Sequence, residues 1–86
     1  MICIPIVGPT QKKSLEDISK AESLADVLEL RLDLMSDYDL RALLIAANKP
    51  CIVTNRTKRE GGQFSGSEAQ RIDVLKQAMD AGAEYV

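Results

Sequence analysis

The sequence has no histidine and no tryptophan, and its aromatic residues are two tyrosines and one phenylalanine. Without histidine, the chain lacks the commonest general base near neutral pH and the commonest metal ligand. With so few aromatics, a core must be built from Leu, Ile, Val and Ala. Cysteine is also sparse. Cys3 and Cys51 each open an apolar run and form no C-x-x-C pair. They read as two small buried hydrophobes in a reducing compartment, not as a disulfide or a metal site. No apolar stretch is long enough to span a bilayer, so no membrane partner is expected. Met1-Ile2-Cys3-Ile4-Pro5 has no basic n-region of a secretory leader, which makes the cytoplasm the expected location. The net charge of -2 argues against nucleic acid as a partner.

What is present is a soluble globular composition, 45% hydrophobic and 28% charged, in a short chain of 86 residues. Ile2 to Val7 reads as a buried strand interrupted by Pro5, and Gly8-Pro9-Thr10 as a loop. Ser14 is an expected N-cap, followed by acids and by Leu15, Ile18, Ala21 and Ala25 at helical spacing. Val27 to Asp33 alternates strictly, with Leu28, Leu30 and Leu32 on one face and Glu29, Arg31 and Asp33 on the other. Asp37 or Asp39 can cap a second helix, Leu40 to Ala47. Asn48 can close it in a left-handed conformation, and Lys49-Pro50 prevents its continuation. Cys51 to Asn55 is the third strand and leads into Arg56. A glycine-bearing loop runs from Thr57 to Gly66. Ser67-Glu68-Ala69-Gln70 then matches a capping box. Ile72, Leu75, Ala78 and Met79 supply that helix's apolar face, and Gly82 falls where a C′ glycine belongs. Ala83 to Val86 looks like the start of a fourth strand.

Strands alternating with helices, with no hairpin signal between them, imply a parallel sheet. Parallel strands usually read as continuous apolar runs, because helices cover both faces. The second strand breaks that rule by turning three charges to one side. A half-exposed strand or a structural ion-pair cluster would account for it. A (β/α) barrel accounts for it better: leucines pack outward under helices, and polar residues point inward near the C-terminal ends of the strands, where such barrels hold their sites. Arg56 ends the third strand on the face of Ile52 and Thr54. Glu29, Arg31 and Arg56 can then converge on one small polar ligand, with the arginines suited to forked hydrogen bonds. In Glu60-Gly61-Gly62, the glycines permit unusual backbone angles and close approach to a ligand. A plain surface loop would look similar.

Two segments carry a family resemblance, Val27-Leu28-Glu29-Leu30-Arg31-Leu32-Asp33 and Thr54-Asn55-Arg56-Thr57-Lys58-Arg59-Glu60-Gly61-Gly62. Together with Ala81-Gly82-Ala83-Glu84-Tyr85-Val86 they resemble type I 3-dehydroquinate dehydratase. The Gly62-Gln63-Phe64 continuation looks most like members fused to shikimate dehydrogenase. The resemblance implies an α/β fold: residues 1–86 would be the N-terminal portion of one (β/α)8 TIM barrel domain, its first three to four βα units, with parallel strands. It also implies a shikimate-pathway hydro-lyase. Such an enzyme turns 3-dehydroquinate into 3-dehydroshikimate through a lysine Schiff base, with a histidine as general acid and base and no metal or organic cofactor.

By position, Glu29, Arg31 and Arg56 match substrate-contacting residues. Glu60 matches a glutamate that supports the histidine. Ile4 stands where some members have a site-lining serine. The Schiff-base lysine and the histidine match nothing here, so the 86-residue chain by itself is expected to bind poorly and to be inactive. A bifunctional dehydratase–shikimate dehydrogenase is the alternative parent. A short self-associating or binding protein is the non-enzymatic alternative, since an open parallel edge invites a homodimer or other edge pairing.

Overall fold

The computed structural model describes residues 1–86. Its first strand, β1, covers Cys3–Ile6, and helix α1 covers Gln11–Ala21. Strand β2 (Val27–Arg31) runs into a short 3-10 turn at Leu32–Leu34. Helix α2 (Leu40–Ala46), strand β3 (Cys51–Thr54), a second 3-10 turn at Lys58–Glu60 and helix α3 (Glu68–Asp80) complete the order. The three strands form one parallel sheet in the order β1-β2-β3. This is the α/β pattern of the opening βα units of a (β/α)8 barrel. Beside β3, Tyr85 makes an isolated parallel bridge to Ile52, and the Val53 N–H donates to the Tyr85 carbonyl at 2.9 Å.

Register explains which side the helices cover. Ile4 and Ile6 lie opposite Leu28 and Leu30, which lie opposite Cys51 and Val53. Ile6, Leu28, Leu30 and Val53 are all but inaccessible to solvent and share one core with Ile18 and Ala21 of α1, Leu43 of α2 and Ala78 of α3. Each such side chain contributes about 1.5–3 kcal/mol by leaving water. The opposite face carries Pro5, Glu29, Ile52, Arg31 and Thr54, and every one of them keeps some exposure.

Several local expectations are corrected. Helix α1 starts at Thr10, whose Oγ1 accepts from the Lys13 N–H at 3.1 Å. Ser14 lies one turn inside, fully buried, because it shares the inward face with Ile18 and Ala21. Of the two caps expected for α2, the structure uses Asp39. Asn48 is not left-handed, since only glycines have positive φ. Its N–H instead donates to Glu22 at 2.8 Å. Cys3 is exposed because it falls on the helix-free face, whereas Cys51 is buried. On α3, Ala78 is buried with Val74 and Leu75 packed beside it, while Ile72 and Met79 stay 40% and 48% exposed. The capping box at Ser67 and Gln70 is present, and Gly82 has φ +107°.

Candidate functional site

Charge on the helix-free face gathers at the C-terminal ends of β2 and β3. Glu29 and Arg31 extend from β2 beside Ile52 and Thr54 of β3. The Thr54 hydroxyl donates to Glu29 Oε2 at 3.3 Å, so the neighbouring strand fixes the carboxylate. Arg31 makes no ion pair with Glu29. It is held by Asp33, with Nε donating to Oδ1 at 3.1 Å and Nη2 to Oδ2 at 2.8 Å.

This pairing exists because β2 stops at Arg31. The 3-10 turn at Leu32–Leu34 swings the Asp33 carboxylate back against the guanidinium, while Leu32 still reaches the core at 3% exposure. Asp33 is therefore a strand-end anchor and not a third charge of a continuing strand, as the alternation suggested. Its side chain is completely covered, and that of Arg31 is 15% exposed. Asp33 Oδ2 also accepts the Gln63 N–H at 3.1 Å from the loop after β3. Burial pushes the Asp33 pKa up. The Arg31 guanidinium and the Arg56 and Gln63 backbone N–H groups outweigh it and hold the carboxyl below its ordinary 3.8. The Asp33 hydrogen bond raises the Arg31 pKa, against desolvation and with Coulombic help from Asp33 and Glu29.

Arg56 follows β3 and is exposed, and none of the ion pairs includes it. Its backbone is tightly held. The Arg56 carbonyl accepts from Phe64 at 3.0 Å, and Gly62 donates to the Thr57 carbonyl at 2.7 Å. A Cβ on Gly62 would lie 2.1 Å from the Arg56 carbonyl oxygen. At this glycine the close approach is made to the chain's own backbone. Gly61 supplies the left-handed residue, at φ +89°. Glu60 is exposed and accepts from Thr57 Oγ1 at 3.3 Å.

Arg56 and Glu60 line one cavity of about 160 Å³, together with Thr54, Asn55, Arg71 and Val86. The predicted residues therefore form two neighbouring groups. Glu29 and Arg31 lie on the sheet face, Arg56 and Glu60 flank the end of β3, and Thr54 touches both groups. Ile4 belongs to neither, since it faces Leu28 on the helix-covered side.

Sequence reasoning assigned no role to three contributors: Asp33, Thr54 and Arg71. The first two carried a signal, as alternating polar residues on the correct face. Arg71 carried none. It pairs with Glu68 at 2.6 Å on an exposed turn of α3 and resembles any helical surface charge. The six lysines, Lys12, Lys13, Lys20, Lys49, Lys58 and Lys76, all lie in helices or turns and none on a strand. No helix is long and apolar enough to cross a membrane.

Residues 2–86 match a family model described as type I 3-dehydroquinase. The chain is 40% identical over 91 residues to the chloroplastic bifunctional 3-dehydroquinate dehydratase/shikimate dehydrogenase of Arabidopsis thaliana, covering all of this chain and 15% of that protein. It is 31% identical to a 3-dehydroquinate dehydratase of Methanocaldococcus jannaschii and 37% identical to that of Methanococcus vannielii. Both matches cover all of this chain and 39% of each relative. The chain thus spans well under half the length of these relatives.

Proposed function

Because this chain belongs to the type I 3-dehydroquinase family, we propose that residues 1–86 supply the substrate-binding strands of a 3-dehydroquinate dehydratase, as the N-terminal portion of its (β/α)8 barrel. One observation carries the reading. Glu29 and Arg31 extend side by side, at the C-terminal end of β2, from the sheet face that no helix covers. That is where a barrel of this kind holds its ligands.

In this reading Arg31 and Arg56 bind the carboxylate or hydroxyl oxygens of 3-dehydroquinate, and Glu29, fixed by Thr54, accepts a substrate hydroxyl. Glu60 orients a histidine that acts as general acid and base. The Schiff-base lysine and that histidine come from strands outside these 86 residues, since the six lysines here lie off the strands. The imine would act as an electron sink and make the adjacent C–H acidic. No metal or organic cofactor enters the scheme. The plant relative is named as chloroplastic, and the proposed site of action of this chain is the cytoplasm.

The test replaces the aligned segment of the Methanocaldococcus jannaschii enzyme with these 86 residues. The chimera should dehydrate 3-dehydroquinate, and Arg56→Ala within it should cut kcat/KM at least about a hundredfold, as loss of a charged contact to the reacting substrate does. A folded chimera whose kinetics ignore Arg31→Ala and Arg56→Ala would overturn the assignment. The 86-residue chain alone should form no borohydride-trapped adduct with 3-dehydroquinate. The 40% identity to the bifunctional plant protein favours a second reading, that the parent also carries a shikimate dehydrogenase. An open reading frame continuing into a dinucleotide-binding G-x-G-x-x-G segment would support it.

A further inference from the structure

Asp33 is the one carboxylate that touches both groups of the site. Its two oxygens face the side edge of the Arg31 guanidinium, formed by Nε and Nη2. Its Oδ2 also takes the backbone N–H of Gln63, at the far end of the loop that carries Arg56 and Glu60. The loop is otherwise closed on itself through Gly62 and Phe64, so the Arg56 and Gln63 N–H groups at its two ends are what tie it to Asp33 and the end of β2. An arginine offers two bidentate edges. With the side edge taken, Arg31 can grip a ligand only end-on, through Nη1 and the second hydrogen of Nη2.

We propose that Asp33 is a positioning residue that couples the two arms of the site: it leaves Arg31 a single end-on edge for a ligand bearing a pair of oxygens, a carboxylate or adjacent hydroxyls, and it sets the 57–63 loop, and so Arg56 and Glu60, against that same arginine. This rests on the reading that Arg31 and Arg56 bind substrate. The charged group facing Asp33 is Arg31, at the end of β2, and Glu29 acts on Arg31 alone. The loop contributes backbone N–H groups only.

The experiment uses the 86-residue chain and nuclear magnetic resonance. In the wild type, the Arg31 Nε–H signal should persist at neutral pH. It and the Gln63 amide should change together as the Asp33 carboxyl is titrated in acid. In Asp33→Asn the carboxamide offers Arg31 a donor where an acceptor stood. The Arg31 signal should move to the position of the exposed Arg41, and Gln63 amide exchange should speed by at least about tenfold, the loss of one charge-assisted hydrogen bond. A change at Arg31 that leaves Gln63 unmoved, or the reverse, overturns the coupling. If Asp33→Asn fails to fold, the acid titration of the wild type tests the same coupling by the same two signals.

A titration of the Methanocaldococcus jannaschii chimera, with and without Asp33→Asn, with 3-dehydroquinate adds the functional arm. Wild-type binding that weakens about tenfold in Asp33→Asn supports positioning. Equal binding by both overturns it. If neither chimera binds, the dehydratase reading fails, while the coupling is still decided by the measurements made without substrate.

Discussion

Arg31 and Arg56 look alike in the sequence and differ in how the fold holds them. Arg31 is paired bidentately with a covered carboxylate, whereas Arg56 is exposed and outside every ion pair. Removing Arg31 leaves the covered Asp33 carboxylate without its partner, which for a part-buried pair costs about 1–3 kcal/mol, while an exposed unpaired charge is worth within about 0.5 kcal/mol. Urea denaturation should therefore show Arg31→Ala strongly destabilised and Arg56→Ala close to wild type. Equal midpoints would mean that the Asp33 pair contributes nothing to the fold. The same pair sets an acid limit. The Asp33 pKa is lower folded than its ordinary 3.8, so the unfolded chain binds the proton more readily. The stabilisation is present above the unfolded value and is lost as pH falls through the folded one. Stability of the wild type should fall as pH drops to the ordinary carboxyl value of 3.8 and below it, and Asp33→Asn should flatten that part of the profile. At this scale the sequence showed Glu29 and Arg31 on one face but not what held them. The Asp33 contact depends on a turn that alternation cannot report.

Elements whose signals are local were legible. Ser67 and Gln70 form the capping box that their spacing announced, with Ser67 Oγ accepting the Gln70 N–H at 3.1 Å and Gln70 Oε1 accepting the Ser67 N–H at 2.8 Å. Ser67→Ala should cost about 1 kcal/mol, measurable as a lowered urea midpoint. Elements that end through tertiary contacts were not legible. The chain after α2 is held by Glu22, 26 residues away, and not by a left-handed Asn48. Thr10 and Ser14 are equally good caps on chemistry alone. The choice of Thr10 follows from the need to turn Ser14, Ile18 and Ala21 inward together. The loop after β3 is decided by a steric fact. Gly62→Ala would drive a methyl group into the Arg56 carbonyl, so this segment must open. Its cost should reach about 1–3 kcal/mol, with Arg56 and Gln63 amides losing protection while α1 keeps its own. Retained protection at Arg56 would show that the loop can give without opening.

At the scale of the molecule, the chain is as compact as its length allows: its radius of gyration is 12.0 Å, against about 12 Å expected for a folded chain of this size. Only 17 of 86 residues are buried, however, because one sheet face has no cover and β1 pairs on one side only. The composition foretold a modest core, and the βα order foretold the sheet. Neither could show that the uncovered face would bear Cys3, Pro5 and Ile52 beside Glu29 and Arg31. Those two charges oppose face-to-face stacking, since burying them against another sheet would strip them of water. The free edge of β1 carries no charged side chain between Cys3 and Ile6 and is blunted only by Pro5, which has no N–H to donate, and an edge so lightly guarded can template a further strand. Association of the isolated chain should therefore run through β1. Sedimentation should show the average mass rising with concentration. Ile4→Lys should leave α3 intact and suppress that rise, although Ile4 packs against the core and its replacement will also lower stability. Cys3→Lys, on the exposed face of the same strand, separates the two effects: if association persists in both variants, the contact lies elsewhere and the edge is already protected by Pro5 and its own twist.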